Sequence, residues 1–138
     1  MDRTADTSVD VATGGDLDPF TAGRVTAAVL IIGDEILSGR TRDTNLGDIA
    51  KYLGAFGVEL AEARTVSDVQ GEIIAALNAL RTRYDYVITT GGIGPTHDDI
   101  TADAVAAAFG VELYEHPDIL AMMTARWGVE INAARRRM

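Results

Sequence analysis

No cysteine occurs anywhere in this chain of 138 residues. Disulfides, thiolate metal sites and cysteine nucleophiles are excluded together. The absence also fits a reducing compartment, so a cytoplasmic protein is expected. Basic charge is scarce as well: 12 Lys and Arg stand against 21 Asp and Glu, a net charge of −9. Binding to a nucleic-acid backbone rests on clustered cations, so no nucleic-acid partner is expected. The one basic cluster, Arg135-Arg136-Arg137, reads as a solvated helix face. No apolar run approaches the ~20 residues needed to cross a bilayer. The N-terminus has no basic stretch followed by an apolar one, so neither membrane nor signal peptide is expected.

What is present is ordinary globular composition, 47% apolar and 24% charged, at the size of one domain. Residues 1 to 23 depart from it. Asp2, Asp6, Asp10, Asp16 and Asp18 face only Arg3, so five minus one leaves −4 in this stretch. Few large apolar groups are available there to offset ordering entropy, and a disordered acidic tail is expected over 1–23. The globular domain is expected to span residues 24–138.

Val25 to Ile32 is apolar without alternation, as in a central parallel strand buried on both faces. Leu46, Ile49, Ala50, Leu53 and Phe56 recur at helical spacing, with Asp43 as N-cap and Gly57 as a left-handed C-terminal stop. Val58 to Val66 is a second strand, less apolar and so nearer an edge. Val69, Ile73, Leu77 and Leu80 mark a second helix, for which Ser67 or Asp68 would be the N-cap. Tyr84 to Thr90 is a third strand and Thr101 to Phe109 a third helix, stopped by Gly110. Val111 to Tyr114 is expected as a short fourth strand. Pro117 opens a fourth helix at N1, running to Trp127. Asn132 to Met138 reads as an unfinished helix, so the domain is expected to be incomplete at its C-terminus. Alternation of strands and helices means an α/β fold with a mostly parallel sheet and right-handed crossovers.

In such sheets ligands bind beyond the carboxyl ends of the strands. Three polar turns fall there: Gly33-Asp34-Glu35, Ser67-Asp68, and Gly91 through Asp99. In the last, Gly91-Gly92-Ile93-Gly94-Pro95 lets backbone approach a ligand closely, and a helix start follows. Thr90, Thr96, Asp98 and Thr101 surround it. The turn is neither the dinucleotide fingerprint nor a phosphate loop with its lysine. Asp68 and Asp99, which follow the second and third strands, could share a divalent cation beside a phosphate. Each also has a plainer reading, as a helix cap or a solvated carboxylate. His97 could donate to a phosphate, while His116 before Pro117 reads as structural.

The strings Ile32-Gly33-Asp34-Glu35-Ile36-Leu37-Ser38-Gly39, Asp43-Thr44-Asn45, Thr65-Val66-Ser67-Asp68 and Thr89 through Thr101 resemble the MoaB/Mog molybdopterin-binding domain family. The version is similar to the CinA-like branch (competence/damage-inducible protein A, N-terminal part) and to the N-terminal domain of eukaryotic FAD synthases. The resemblance covers Val25 to Leu120 and implies a three-layer α/β/α sandwich. It implies Asp68 and Asp99 as catalytic and metal-holding residues, with Mg²⁺ as cofactor. It implies a molybdopterin or nucleotide ligand met by Gly33, Asp34, Glu35, Ser38, Asn45, Thr90, Gly91, Gly92, Gly94, Pro95, Thr96, Asp98 and Thr101. Two chemistries are implied: nucleotide pyrophosphate hydrolysis, or adenylyl transfer in molybdenum cofactor biosynthesis. Mog-type chains carry a basic residue before the second aspartate; Asp98 stands there in this chain, which points to the CinA-like branch. A non-catalytic pterin-binding or oligomerisation module is the alternative, and the resemblance allows a homo-oligomer, trimer or dimer.

Overall fold

The computed structural model describes residues 23–128 and 131–136. Apart from Gly23, the expected acidic tail lies outside these residues. Strand β1 (Val25–Ile32) is central in a parallel sheet of order β2-β1-β3, with β2 at Val58–Val66 and β3 at Tyr86–Thr90. Its side chains from Ala27 to Ile32 are all buried, as a strand without polar alternation requires. Strand β2 alternates between half-buried and exposed over most of its length, which suits an edge. A register shift between Ala27 and Ala28 brings Ala27 opposite Leu60 and Ala28 opposite Glu62, so Ala61 is the extra residue of a bulge.

Among the described residues six helices accompany the sheet: α1 (Asp34–Leu37), α2 (Asn45–Ala55), α3 (Gln70–Arg81), α4 (Thr101–Phe109), α5 (Pro117–Trp127) and α6 (Ala133–Arg136). The crossover through α2 runs from β1 to one neighbour; the crossover through α3 runs from β2 past β1 to the other. Right-handed crossovers in opposite directions place α2 and α3 on opposite faces, which makes the three layers. On the α3 face, Ala28, Leu30 and Ile32 pack with Ile73, Ala76, Leu77, Leu80 and Ala104. Leu30, Ile73 and Leu80 are fully buried, so this contact carries most of the apolar burial.

Several terminators act as read from sequence. Asp43 Oδ1 accepts the Leu46 amide at 2.9 Å, capping α2 from one residue before its formal cap, Thr44. Gly57 and Gly110 are left-handed, and Pro117 occupies the first turn of α5. Two expectations are corrected. Residues 111–116 are exposed and form no strand: their β-prone side chains find no neighbouring backbone to pair with among the described residues. Helix α3 is capped neither by Ser67 nor by Asp68; Val69 holds the cap position without a side-chain bond. Helix α1 was not expected. It forms because the Gly33 carbonyl accepts the amides of Ile36 and Leu37 at 3.2 and 3.4 Å.

Candidate functional site

The two crossovers run in opposite directions across the sheet, one from β1 to β2 and one from β2 past β1 to β3, so the topological switch point lies beside β1 and the carboxyl ends of the strands open a crevice there. Three loops meet there. The Gly33 amide donates to the Val66 carbonyl at 3.0 Å, joining the ends of β1 and β2. The Asp34 amide then donates to Asp68 Oδ2 at 2.9 Å. Asp68 is therefore turned towards the start of α1 instead of capping its own helix. Glu35 folds back over the same point, its carboxylate lying within 2.7 Å of where a Gly33 side chain would begin.

The third loop leaves β3. Gly91 and Gly92 have φ of 86° and 61°, which L side chains rarely adopt. Space forbids a side chain as well. A methyl on Gly91 would overlap the Ile32 carbonyl oxygen, and one on Gly92 would overlap the Thr101 hydroxyl. Thr101 is buried, and its hydroxyl donates to the Gly91 carbonyl at 2.8 Å. Its amide donates to the Gly92 carbonyl at 3.1 Å. The turn is thus held through its carbonyls. Among the described residues no hydrogen bond takes up the amides of Gly92, Ile93 or Gly94. A turn fixed by its acceptors, with donors left over, has the polarity that suits an anion.

Asp99 lies beside this turn. Its Oδ2 accepts from the Thr96 amide at 2.8 Å and from the Thr96 hydroxyl at 2.5 Å. The same oxygen sits 2.8 Å from where a Gly94 side chain would begin, so glycine there leaves room for the carboxylate. Asp68 and Asp99 are each anchored by backbone N–H groups, one on either side of β1. Carboxylate oxygens without thiolate or imidazole suit a hard cation such as Mg²⁺. No group of three or more His, Cys, Asp or Glu side chains able to hold a metal occurs among the described residues. Mg²⁺ commonly takes only one or two carboxylates, with water and substrate phosphates completing its shell, so carboxylates such as Asp68 and Asp99 are the kind of donor that ion takes.

The remaining predicted residues divide. Gly33, Asp34, Glu35 and Asp68 adjoin at the ends of β1 and β2. Gly91, Gly92, Gly94, Thr96, Asp99 and Thr101 form the turn. Thr90 ends β3 opposite Ile31. Ser38 is turned inward on its own loop, donating to the Glu35 carbonyl at 3.3 Å and accepting from Arg40 Nε at 3.0 Å. Asp98 is exposed and paired with His97 at 2.8 Å; Pro95 is exposed too. Asn45 is exposed at the start of α2, with no contact joining it to the turn among the described residues.

One feature was not anticipated from sequence. A groove of about 650 Å³ runs between the start of α4, the 113–116 segment, α5 and residues 131–136. Of the predicted site residues only Asp99 lines it. Its walls are Leu113, Tyr114, Ile119, Met123 and Trp127, all but Met123 substantially exposed. A periodicity reading sees such residues only as an apolar helix face.

Residues 28–137 match the model of a family described as the probable molybdopterin-binding domain. The chain belongs to this molybdopterin-binding domain family. Relatives at sequence level include a probable FAD synthase of Caenorhabditis briggsae, 46% identical over 96 residues, covering 70% of this chain and 18% of that protein. A CinA-like protein of Citrifermentans bemidjiense is 46% identical over 113 residues, covering 80% of this chain and 27% of the relative. The chain therefore spans about a fifth to a quarter of the curated relatives it matches. Among solved structures, the protein CinA of unknown function from Thermoplasma acidophilum aligns with a TM-score of 0.72 at 34% identity, covering 81% of this chain and 66% of that one. The molybdopterin biosynthesis enzyme MoaB of Thermus thermophilus aligns at 0.59 and 26% identity, covering 82% and 71%. The α/β fold of the molybdopterin-binding domain is thus common to all of them. No helix among the described residues is long and apolar enough to cross a membrane.

Proposed function

We propose that this molybdopterin-binding domain acts on a phosphoanhydride of a pterin or nucleotide, with Mg²⁺. The observation that carries the reading is Asp99, held by Thr96 against Gly94 beside a turn whose Gly92, Ile93 and Gly94 amides meet no acceptor among the described residues. The amides of Gly91 to Gly94, with the Thr90 hydroxyl, would receive phosphate oxygens. The Thr96 hydroxyl is committed to Asp99 and orients it. Asp68, oriented by the Asp34 amide, and Asp99 would hold the ion. When bound, Mg²⁺ would draw charge from the phosphoryl oxygens. Thr101 fixes the turn through Gly91 and need not touch the substrate. The names of the relatives agree with this class of ligand, since a probable FAD synthase and a molybdopterin biosynthesis enzyme are among them.

A non-catalytic pterin-binding module is the second reading, favoured by the absence of a third metal-ligating side chain among the described residues. The test is a thermal-shift panel of ATP, ADP-ribose, FAD and molybdopterin, with and without Mg²⁺, followed by product analysis. A Mg²⁺-dependent shift with turnover supports the proposal. A shift without product supports the binding module. No shift with any phosphate compound refutes both.

A further inference from the structure

We propose that the groove beyond Asp99 seats the flat heteroaromatic ring of the ligand, while the glycine turn takes its phosphates. The inference rests on the phosphate reading above and adds the place and chemistry of ring recognition. Three observations carry it. At about 650 Å³ the groove is within the usual range for small-molecule sites. Its wall includes Asp99, so it is continuous with the phosphate side. Its lining is apolar and aromatic with few polar groups, the make-up of a site that holds a ring by its faces and fixes it by its edge.

The residues divide that work. Tyr114 and His116 sit two apart on an extended segment and present nearly parallel rings, 28° apart with centroids 6.2 Å from each other. Tyr114 is 70% exposed and adjoins the exposed Leu113, Ile119 and Trp127 in one apolar lining, the kind of contiguous patch that marks a binding surface. Leu113, Ile119 and Trp127 form the apolar remainder. At the edge stand acceptors: Asp103 in the first turn of α4, and Glu115, which pairs with Arg136 at 2.7 Å and ties the segment to α6. A rim rich in carboxylates selects a ring that offers N–H donors, such as the amino group of adenine or of a pterin.

Trp127 lines the groove and is the only tryptophan of the chain, so its emission reports occupancy directly. The full chain would be titrated with ADP, adenosine, pterin, purine riboside and pyrophosphate, with Mg²⁺ present. ADP should quench Trp127 and pyrophosphate should bind, by calorimetry, without quenching it. Adenosine and pterin, both bearing an amino group, should bind more tightly than purine riboside, which lacks one. Whichever of the two competes more strongly with ADP names the source of the ring. Tyr114→Ala removes one stacking face from an exposed position. It should weaken ADP roughly tenfold, as loss of one aromatic platform does, and leave pyrophosphate unchanged. Asp103→Ala should abolish the preference for adenosine over purine riboside. Nucleotide binding with no change in Trp127 emission, unaltered by Tyr114→Ala and by the groove-filling Ile119→Arg, would overturn the groove assignment and leave the phosphate site standing. Failure of pyrophosphate to bind, with adenosine still quenching Trp127, would overturn the phosphate reading instead.

Discussion

Removing the Thr101 hydroxyl should loosen the glycine turn without touching its glycines. Thr101 is 3% exposed and is the residue whose side chain locks the turn, donating to the Gly91 carbonyl at 2.8 Å. Thr101→Val keeps the shape and leaves that carbonyl without its donor. An unsatisfied buried acceptor costs about 1–3 kcal/mol. Gly91 is only half-buried, so the lower part of that range, about 1–2 kcal/mol, is expected. For a domain of this size that is a fall in Tm of roughly 3–10 °C. Thr101→Ser loses one methyl group, about 1 kcal/mol, but keeps the bond. The two variants therefore separate in function more than in stability. Serine should bind pyrophosphate as the native chain does. Valine should bind it more weakly, because the Gly92 to Gly94 amides no longer hold one arrangement. Calorimetric titration and thermal melts of both variants decide the matter. A valine variant with native affinity would refute the claim that Thr101 organises the turn.

Other consequences follow from the same contacts. Gly91→Ala places a methyl into the Ile32 carbonyl at φ of 86°; it should abolish pyrophosphate binding and lower the melting temperature more than Thr101→Val does. Leu30→Ala empties a fully buried position between the sheet and α3, and denaturant unfolding should show a loss of about 2–5 kcal/mol. Asp85 accepts first from the Thr26 amide at 2.8 Å and then from its hydroxyl at 3.0 Å, which holds its carboxyl below the usual range. That contribution is whole above the unfolded-state pKa of about 3.9 and vanishes as pH falls through the lower folded value. Asp85→Asn should therefore lower stability at neutral pH and flatten its decline below pH 4, in melts taken across pH. Chelation of Mg²⁺ should remove the thermal shift given by ATP and restore it on readdition.

The sheet was legible because its central strand carries an unbroken apolar run, and because Gly57 and Gly110 stop their helices by adopting positive φ. Helix α4 is the clearest case: a turn before it and a left-handed glycine after it fix both ends at Thr101 and Phe109. The Val111–Tyr114 strand failed because β propensity reports what a neighbour could pair with, and composition does not supply the neighbour. Helix α1 escaped because four residues carry no period. At the site, proximity of the three loops followed from topology, but the direction of each carboxylate did not. Asp68 reads equally well as a cap or as a site residue until the Asp34 amide is seen to claim it. The groove was invisible because Leu113, Ile119 and Trp127 join only when α5 turns back beside α4.

Asp68 and Asp99 are proposed to serve a single bound ion and phosphate. Calorimetric titration of ATP with Mg²⁺ into the native chain, Asp68→Asn, Asp99→Asn and the double variant measures this directly. The predicted result is that the two losses fail to add, with a coupling of at least about 0.5 kcal/mol. Losses that add within about 0.3 kcal/mol, or affinities unchanged in either single variant, would contradict it.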